Sequence, residues 1–144
     1  MPGPAKNFTP QRATPSRPAR RFTLKQANST LPLVKRIVGD IVRTHATAAE
    51  LQGKLEEAAG SKQLALQSQL EEQLDKLQDL VDELSEVGCE LKDSQSGLVD
   101  FLGRHSGRDV CLCWKHGEDE IGHWHEIQSG FAGRQPVAML REDA

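Results

Sequence analysis

Ala59-Gly60-Ser61 separates two long stretches of helical period, and that break constrains the fold more than any other feature of the chain. Before it, Leu31, Val34, Val38, Ile41, His45, Ala48 and Leu55 follow alternating steps of three and four, with Gln52 filling one place. After it, Leu70, Leu74, Leu77, Val81, Leu84 and Leu91 make a second stripe, broadened by Leu66, Leu80 and Val87. Such steps put each set on one helical face, the pattern of a coiled-coil seam. Gly60 can stop the first helix and Ser61 can cap the second, so the chain turns back and the stripes face each other. Each arm is predicted at about 26 residues, or ~40 Å at 1.5 Å per residue. Gly88 is placed to end the second arm in a left-handed conformation.

The first arm opens at Thr23, whose spacing to Gln26 is that of a capping box. Pro32 follows soon after and is disruptive inside a helix, so a short helix over residues 24–30 feeding a longer one is the expectation. Aromatics make up only 4% of the chain and tyrosine is absent, so the core must rest on Leu, Val, Ile and Ala, which suits long helices. The second stripe is broader than one facing helix can cover. Either the C-terminal segment covers the rest, or a second copy does, making a homodimer through the hairpin. The acidic run Glu71, Glu72, Asp75, Asp79, Asp82, Glu83 and Glu86 reads as a solvated outer face.

The ends differ from this body. Residues 1–21 hold five of the seven prolines and carry +5 without an acid, so the remainder of a chain of net charge −3 carries −8. A stretch with so little to bury is expected to be a disordered basic tail, touching nucleic acid only weakly. The single domain is expected over 22–137, with a flexible end over 138–144. No apolar run approaches the ~18 to 20 residues that span a bilayer. Cys89, Cys111 and Cys113 are odd in number and poorly spaced for disulfides, which points to reduced thiols and a cytoplasmic location.

Beyond residue 92 the helical period stops, and turn signals recur at Asp93-Ser94, Ser96-Gly97, Ser106-Gly107 and His116-Gly117. Leu98–Leu102 and Val110–Lys115 read as strands, and Ile121–Ile127 as a third, although Ile121, Trp124, His125 and Gln128 also have helical spacing. A hairpin with its turn centred on Glu118 sets Cys113 opposite His123 and Cys111 opposite His125. Alternation then gathers these four on one face and Val110, Leu112, Trp114 and Trp124 on the other. The tryptophan face is expected to cover the helices, leaving Cys113 and His125 turned outward.

Thiolate with imidazole is a ligand set suited to zinc or iron. Residues two apart on a strand are separated by ~6.6 to 6.8 Å, whereas two thiolates on one tetrahedral zinc lie within about 4 Å of each other. A smaller set recruiting Glu118, Glu120, Glu126 or Asp100 is easier to build than the full rectangle. For catalysis, His125 and Glu126 would point to opposite faces of a strand, and no nucleophile motif surrounds Cys113. Arg134 suits a closing ion pair with a buried acid such as Asp100.

Phe22-Thr23, Gln26-Ala27-Asn28, Leu31-Pro32, Glu90-Leu91-Lys92-Asp93 and Gly97-Leu98-Val99-Asp100-Phe101 form one set of recognisable pieces. Leu112-Cys113-Trp114, Gly117-Glu118, Ile121, Trp124-His125-Glu126 and Gly130-Phe131-Ala132-Gly133-Arg134-Gln135-Pro136 continue it. Over residues 22–137 the chain resembles a family of small bacterial proteins known only as a domain of unknown function. The resemblance implies a helical hairpin with a compact C-terminal motif and brings no activity. Cys113, His125 and Glu126 belong to that motif and Cys111 and His123 do not, which moves the candidate cluster to Cys113, His125, Glu118, Glu126 and Asp100, with Trp114, Trp124 and Arg134 as its structural frame.

The fold class expected is therefore α+β, mainly helical, a long antiparallel hairpin packed by a short β-ribbon. Two classes of function stay open: a self-associating interaction or scaffold protein, and a metal- or small-ligand-binding protein using the C-terminal motif. An enzyme is the least supported.

Overall fold

The computed structural model describes residues 20–143. It holds two long helices, α1 (Leu24–Glu57) and α2 (Gly60–Val87), followed by strands β1 (Glu90–Asp93), β2 (Leu98–His105), β3 (Arg108–Lys115), β4 (His123–Glu126) and β5 (Gln135–Pro136). The strands form one antiparallel sheet in chain order. The mainly helical α+β class read from the sequence is the one found. All but two residues of the basic tail lie outside the described residues.

At the start of α1 the capping box is complete: the Gln26 N–H donates to Thr23 Oγ1 and the Thr23 N–H donates to Gln26 Oε1. The first turn contains no acid of its own, and the Leu24 N–H donates to Glu142 Oε2 at 2.6 Å, from the far end of the chain. The break expected at Pro32 does not occur, and α1 runs unbroken for 34 residues. Pro32 is exposed, and it leaves the Asn28 carbonyl without its helical donor. Ser29 and Thr30 also donate their hydroxyls to the carbonyls of Gln26 and Ala27, shoring up the turn before the proline. Burial of Ala27, Leu31 and Val34 on the opposite face offsets the rest.

Ala58 and Ala59 connect the arms. The cap expected of Ser61 falls two residues earlier: Ala59 is the N-cap, without a side-chain acceptor, and Ser61 lies inside α2. At the other end Gly88 takes φ +111° as expected, against the ring of Phe22. The chain then enters β1 at once, two residues before the helical period was expected to fail.

Two hairpins define the sheet. Ser106 and Gly107 both have positive φ, the requirement of a two-residue type I′ turn, and they pair Asp100 with Cys113 and Leu102 with Cys111. The second hairpin turns about Glu118 and pairs Cys113 with His123 and Cys111 with His125, the register read from the sequence. Residues 123–126 are strand, not helix. Val99, Phe101, Val110, Leu112, Trp114 and Trp124 form the inner face, in one core with Val34, Val38, Ile41, Leu77 and Leu84 of the helices. Removing Trp114 entirely from water contributes about 4 to 6 kcal/mol at 25 cal/mol per Å². The sheet thus covers the broad stripe, but only near the base of the hairpin.

Val137, at the end of the expected domain, and Arg141, in the segment expected to be flexible, both make hydrogen bonds to the sheet region. The Val137 N–H donates to the Gly122 carbonyl, the Ser106 N–H to the Arg141 carbonyl, and the Arg141 N–H to His105 Nδ1. The His105 ring stacks on Trp124 at 4.3 Å between centroids.

Candidate functional site

The outer face of the sheet carries two rows of side chains. Asp100, Cys113 and His123 stand abreast on β2, β3 and β4, and Leu102, Cys111 and His125 make the next row. Asp100, Cys113 and His125 converge, with one ligand-type atom from each lying within 4.8 Å of the other two. The imidazole of His125 lies across β3, its Nε2 3.1 Å from both carboxylate oxygens of Asp100. Its Nδ1 is 2.7 Å from the Glu126 carbonyl, an acceptor only, so Nδ1 carries a proton and donates. Nε2 then faces a carboxylate through either a second proton or a shared cation.

These groups were expected to turn outward; they lie on the outer face but are shut away from solvent. Cys113 is 0% exposed, His125 3% and Asp100 7%. The His125 ring closes over β3 from one side, while the Arg134 guanidinium reaches the Cys113 carbonyl at 3.5 Å from the other. Burial, and then the neighbouring Asp100 carboxylate, push the Cys113 thiol up to about 12. The same two causes raise Cys111, half-buried, to about 12 against the opposing charge of Lys92. Both thiols are protonated near neutrality. With both nitrogens of His125 engaged elsewhere, no base stands ready to activate Cys113.

Glu118 and Glu126 are held elsewhere. Glu118 binds Arg134 at 2.8 and 3.0 Å and accepts the Lys115 N–H. Burial works against its ionisation, but these contacts outweigh it and hold its carboxyl below the usual range. Arg134 thus closes an ion pair with Glu118 rather than with Asp100, because the turn at residues 115–118 brings Glu118 beside it. Its guanidinium also stacks on the Phe131 ring. Glu126 pairs with Arg108 across the hairpin. Cys111 and His123 lie outside the group of three, and Trp114 and Trp124 are in the core beneath it.

Asp100 and His125 belong to one candidate cluster expected from the sequence, but Asp100 was offered to Arg134, and the direct pairing of the two was missed. Its signal was present: a two-residue turn at Ser106-Gly107 sets Asp100 opposite Cys113 by the same counting that sets Cys113 opposite His123.

The fold and site define a class: a helical-hairpin protein with a five-stranded antiparallel sheet at its base and a buried thiol–imidazole–carboxylate cluster on the sheet's outer face. The chain belongs to the DUF2203 family, described as an uncharacterized conserved protein, whose family model matches residues 20–137. No curated protein and no solved structure matches it. Among the described residues, no helix is long and apolar enough to cross a membrane.

Proposed function

We propose that the protein binds a divalent metal of the zinc class through Asp100 Oδ, Cys113 Sγ and His125 Nε2, in a non-enzymatic role. The observation that carries this reading is the convergence of a carboxylate, a thiol and an imidazole within 4.8 Å inside a closed site. The bond from His125 Nδ1 to a backbone carbonyl supports it, because that is how metal-ligating histidines are oriented, with the Nε2 lone pair left for the ion. The thiol, imidazole and carboxylate together match the preferences of zinc better than those of magnesium or calcium. Iron is the nearest competitor for the same donors. Uptake must expel the Cys113 proton, so affinity rises with pH.

Elemental analysis of tag-free, full-length protein purified without added metal is the test, repeated on Cys113→Ala and His125→Ala. Close to one metal per chain in the parent and much less in either variant is expected. Substoichiometric metal in a parent given zinc and then dialysed would sink the reading.

A second reading, self-association through the hairpin, draws on the far half of the two arms. There Leu64 is 73% exposed, Leu51, Leu55 and Leu74 are only half-buried, and a cavity of about 40 Å³ opens between the arms beside Ala48, Gln52 and Leu70. Light scattering over a range of concentration tests it, and a strict monomer throughout would remove it.

A further inference from the structure

Nδ1 of His123 and Nε of Arg134 are buried on the outer side of the sheet without a hydrogen-bond partner among the described residues. Such atoms are rare in native proteins, and each calls for a reason. Arg134 is anchored through its Nη2, held by both oxygens of Glu118, while its Nε stays unsatisfied. His123 Nδ1 has no hydrogen-bond partner, although Glu118 lies close enough to interact with the ring electrostatically, and His123 stands directly opposite Cys113 and in the same row as Asp100. Alternation puts its side chain on the face that carries Cys113 and His125.

The strand register favours it. Directly opposed residues in an antiparallel pair have Cβ atoms ~4.5 to 5.5 Å apart, so His123 starts closer to Cys113 than His125 does to Asp100. His125 nonetheless crosses β3 from the next row and comes within 3.1 Å of that carboxylate. His123 lies outside the group of three within 4.8 Å, and rotation of its side chain is the movement required to join it.

We infer that His123 is the fourth ligand of the metal site, closing an Asp100–Cys113–His123–His125 tetrahedron through the Nδ1 that otherwise has no partner. This rests on the metal-binding reading above. Cys111 is the rival for that position: each candidate stands ~6.6 to 6.8 Å along its strand from another ligand, and the longer imidazole of His123 closes that gap more readily than the short side chain of Cys111. On uptake the Cys113 thiol proton and the proton shared between His125 Nε2 and Asp100 are both given up to solvent, the two imidazoles donate a nitrogen lone pair each, and no electron changes owner. A site with four protein ligands leaves no position for substrate, so it is structural, joining β2, β3 and β4.

Cobalt(II) titration of the full-length chain provides the test, with the visible spectrum reporting coordination. The parent is expected to give strong tetrahedral bands together with a thiolate-to-cobalt band. His123→Ala and His123→Gln should keep the thiolate band, lose tetrahedral intensity and bind at least roughly tenfold more weakly, as even the loss of an orienting neighbour does. Cys111→Ser should match the parent. A His123 variant with the parent's spectrum and affinity would overturn the inference and leave the three-ligand reading standing, as would a loss that followed Cys111→Ser instead. A parent that binds neither cobalt nor zinc overturns both. Nitrogen NMR of the unsubstituted chain supplies a measurement independent of any variant's folding: zinc should move the His123 Nδ1 resonance, and an unmoved resonance counts against ligation.

Discussion

At the base of the hairpin, Val34, Val38, Ile41, Leu77 and Leu84 are sealed beneath a sheet; toward the tip, Ala48, Leu66 and Leu70 are buried while Leu64 is 73% exposed. The heptad pattern is much the same in both halves. What separates them is the number of layers: three elements meet at the base, and two helices alone make the tip. An apolar stripe on a helix specifies which face seeks cover, but how much cover it obtains depends on what else the chain brings to it. The difference has measurable consequences.

The largest is expected from Trp114→Ala, which empties the centre of the three-layered region and should lower the unfolding free energy by about 3 to 5 kcal/mol in urea denaturation. Leu70→Ala at the two-layered end should cost about 2 kcal/mol, the low end for such a truncation, because two helices can close on the gap. Equal losses at the two sites would break the comparison. Hydrogen exchange sharpens it further, with amides near Leu55 and Leu66 expected to open locally while those of β3 exchange only on global unfolding.

Smaller again is Pro32→Ala. It restores a backbone donor in an exposed turn of a continuous helix and should stabilise by about 1 to 2 kcal/mol, less than the ~3 kcal/mol of a mid-helix proline because the neighbouring hydroxyls already brace the turn. Thermal denaturation reads the gain, and a loss would mean the ring packs usefully. The smallest effect concerns Glu118, whose carboxyl is depressed in the folded state. The unfolded chain then binds more protons in acid, so its stabilisation is present above the ordinary carboxyl range and lost as pH falls through and below it. Glu118→Gln should flatten that acid limb by about 1 kcal/mol or less, seen as the difference between denaturation midpoints at neutral and acid pH.

Where the sequence was legible, two independent signals agreed. The hairpin break had both a glycine and a change of stripe behind it, and the β3–β4 register had a turn centre together with an alternation that sent both tryptophans inward. Pro32 misled because the penalty of proline is a local quantity, while the burial of Ala27, Leu31 and Val34 that outweighs it depends on the sheet. Glu90–Asp93 was hidden since Leu91 continues the helical stripe of α2 in number while the chain has already left the helix at Gly88. At the site, the residue types and their common face could be read, but not the partners that Glu118 and Glu126 took. Those choices are made by long side chains reaching for Arg134 and Arg108, and spacing along a strand says nothing of such reach.

The bond from the Leu24 N–H to Glu142 bears on the order in which the chain can fold. A helix N-terminus carries partial positive charge and gains from a nearby anion, and α1 has no acid in its first turn to provide one. Its countercharge arrives from 118 residues downstream, across a closure that spans the whole domain. During synthesis the first helix therefore emerges with its amino end electrostatically unfinished, and its last increment of stability is withheld until Glu142 is free to reach it. Closing so long a loop is then a late event, one that slows completion of the fold and ties it to the arrival of residues far from either helix.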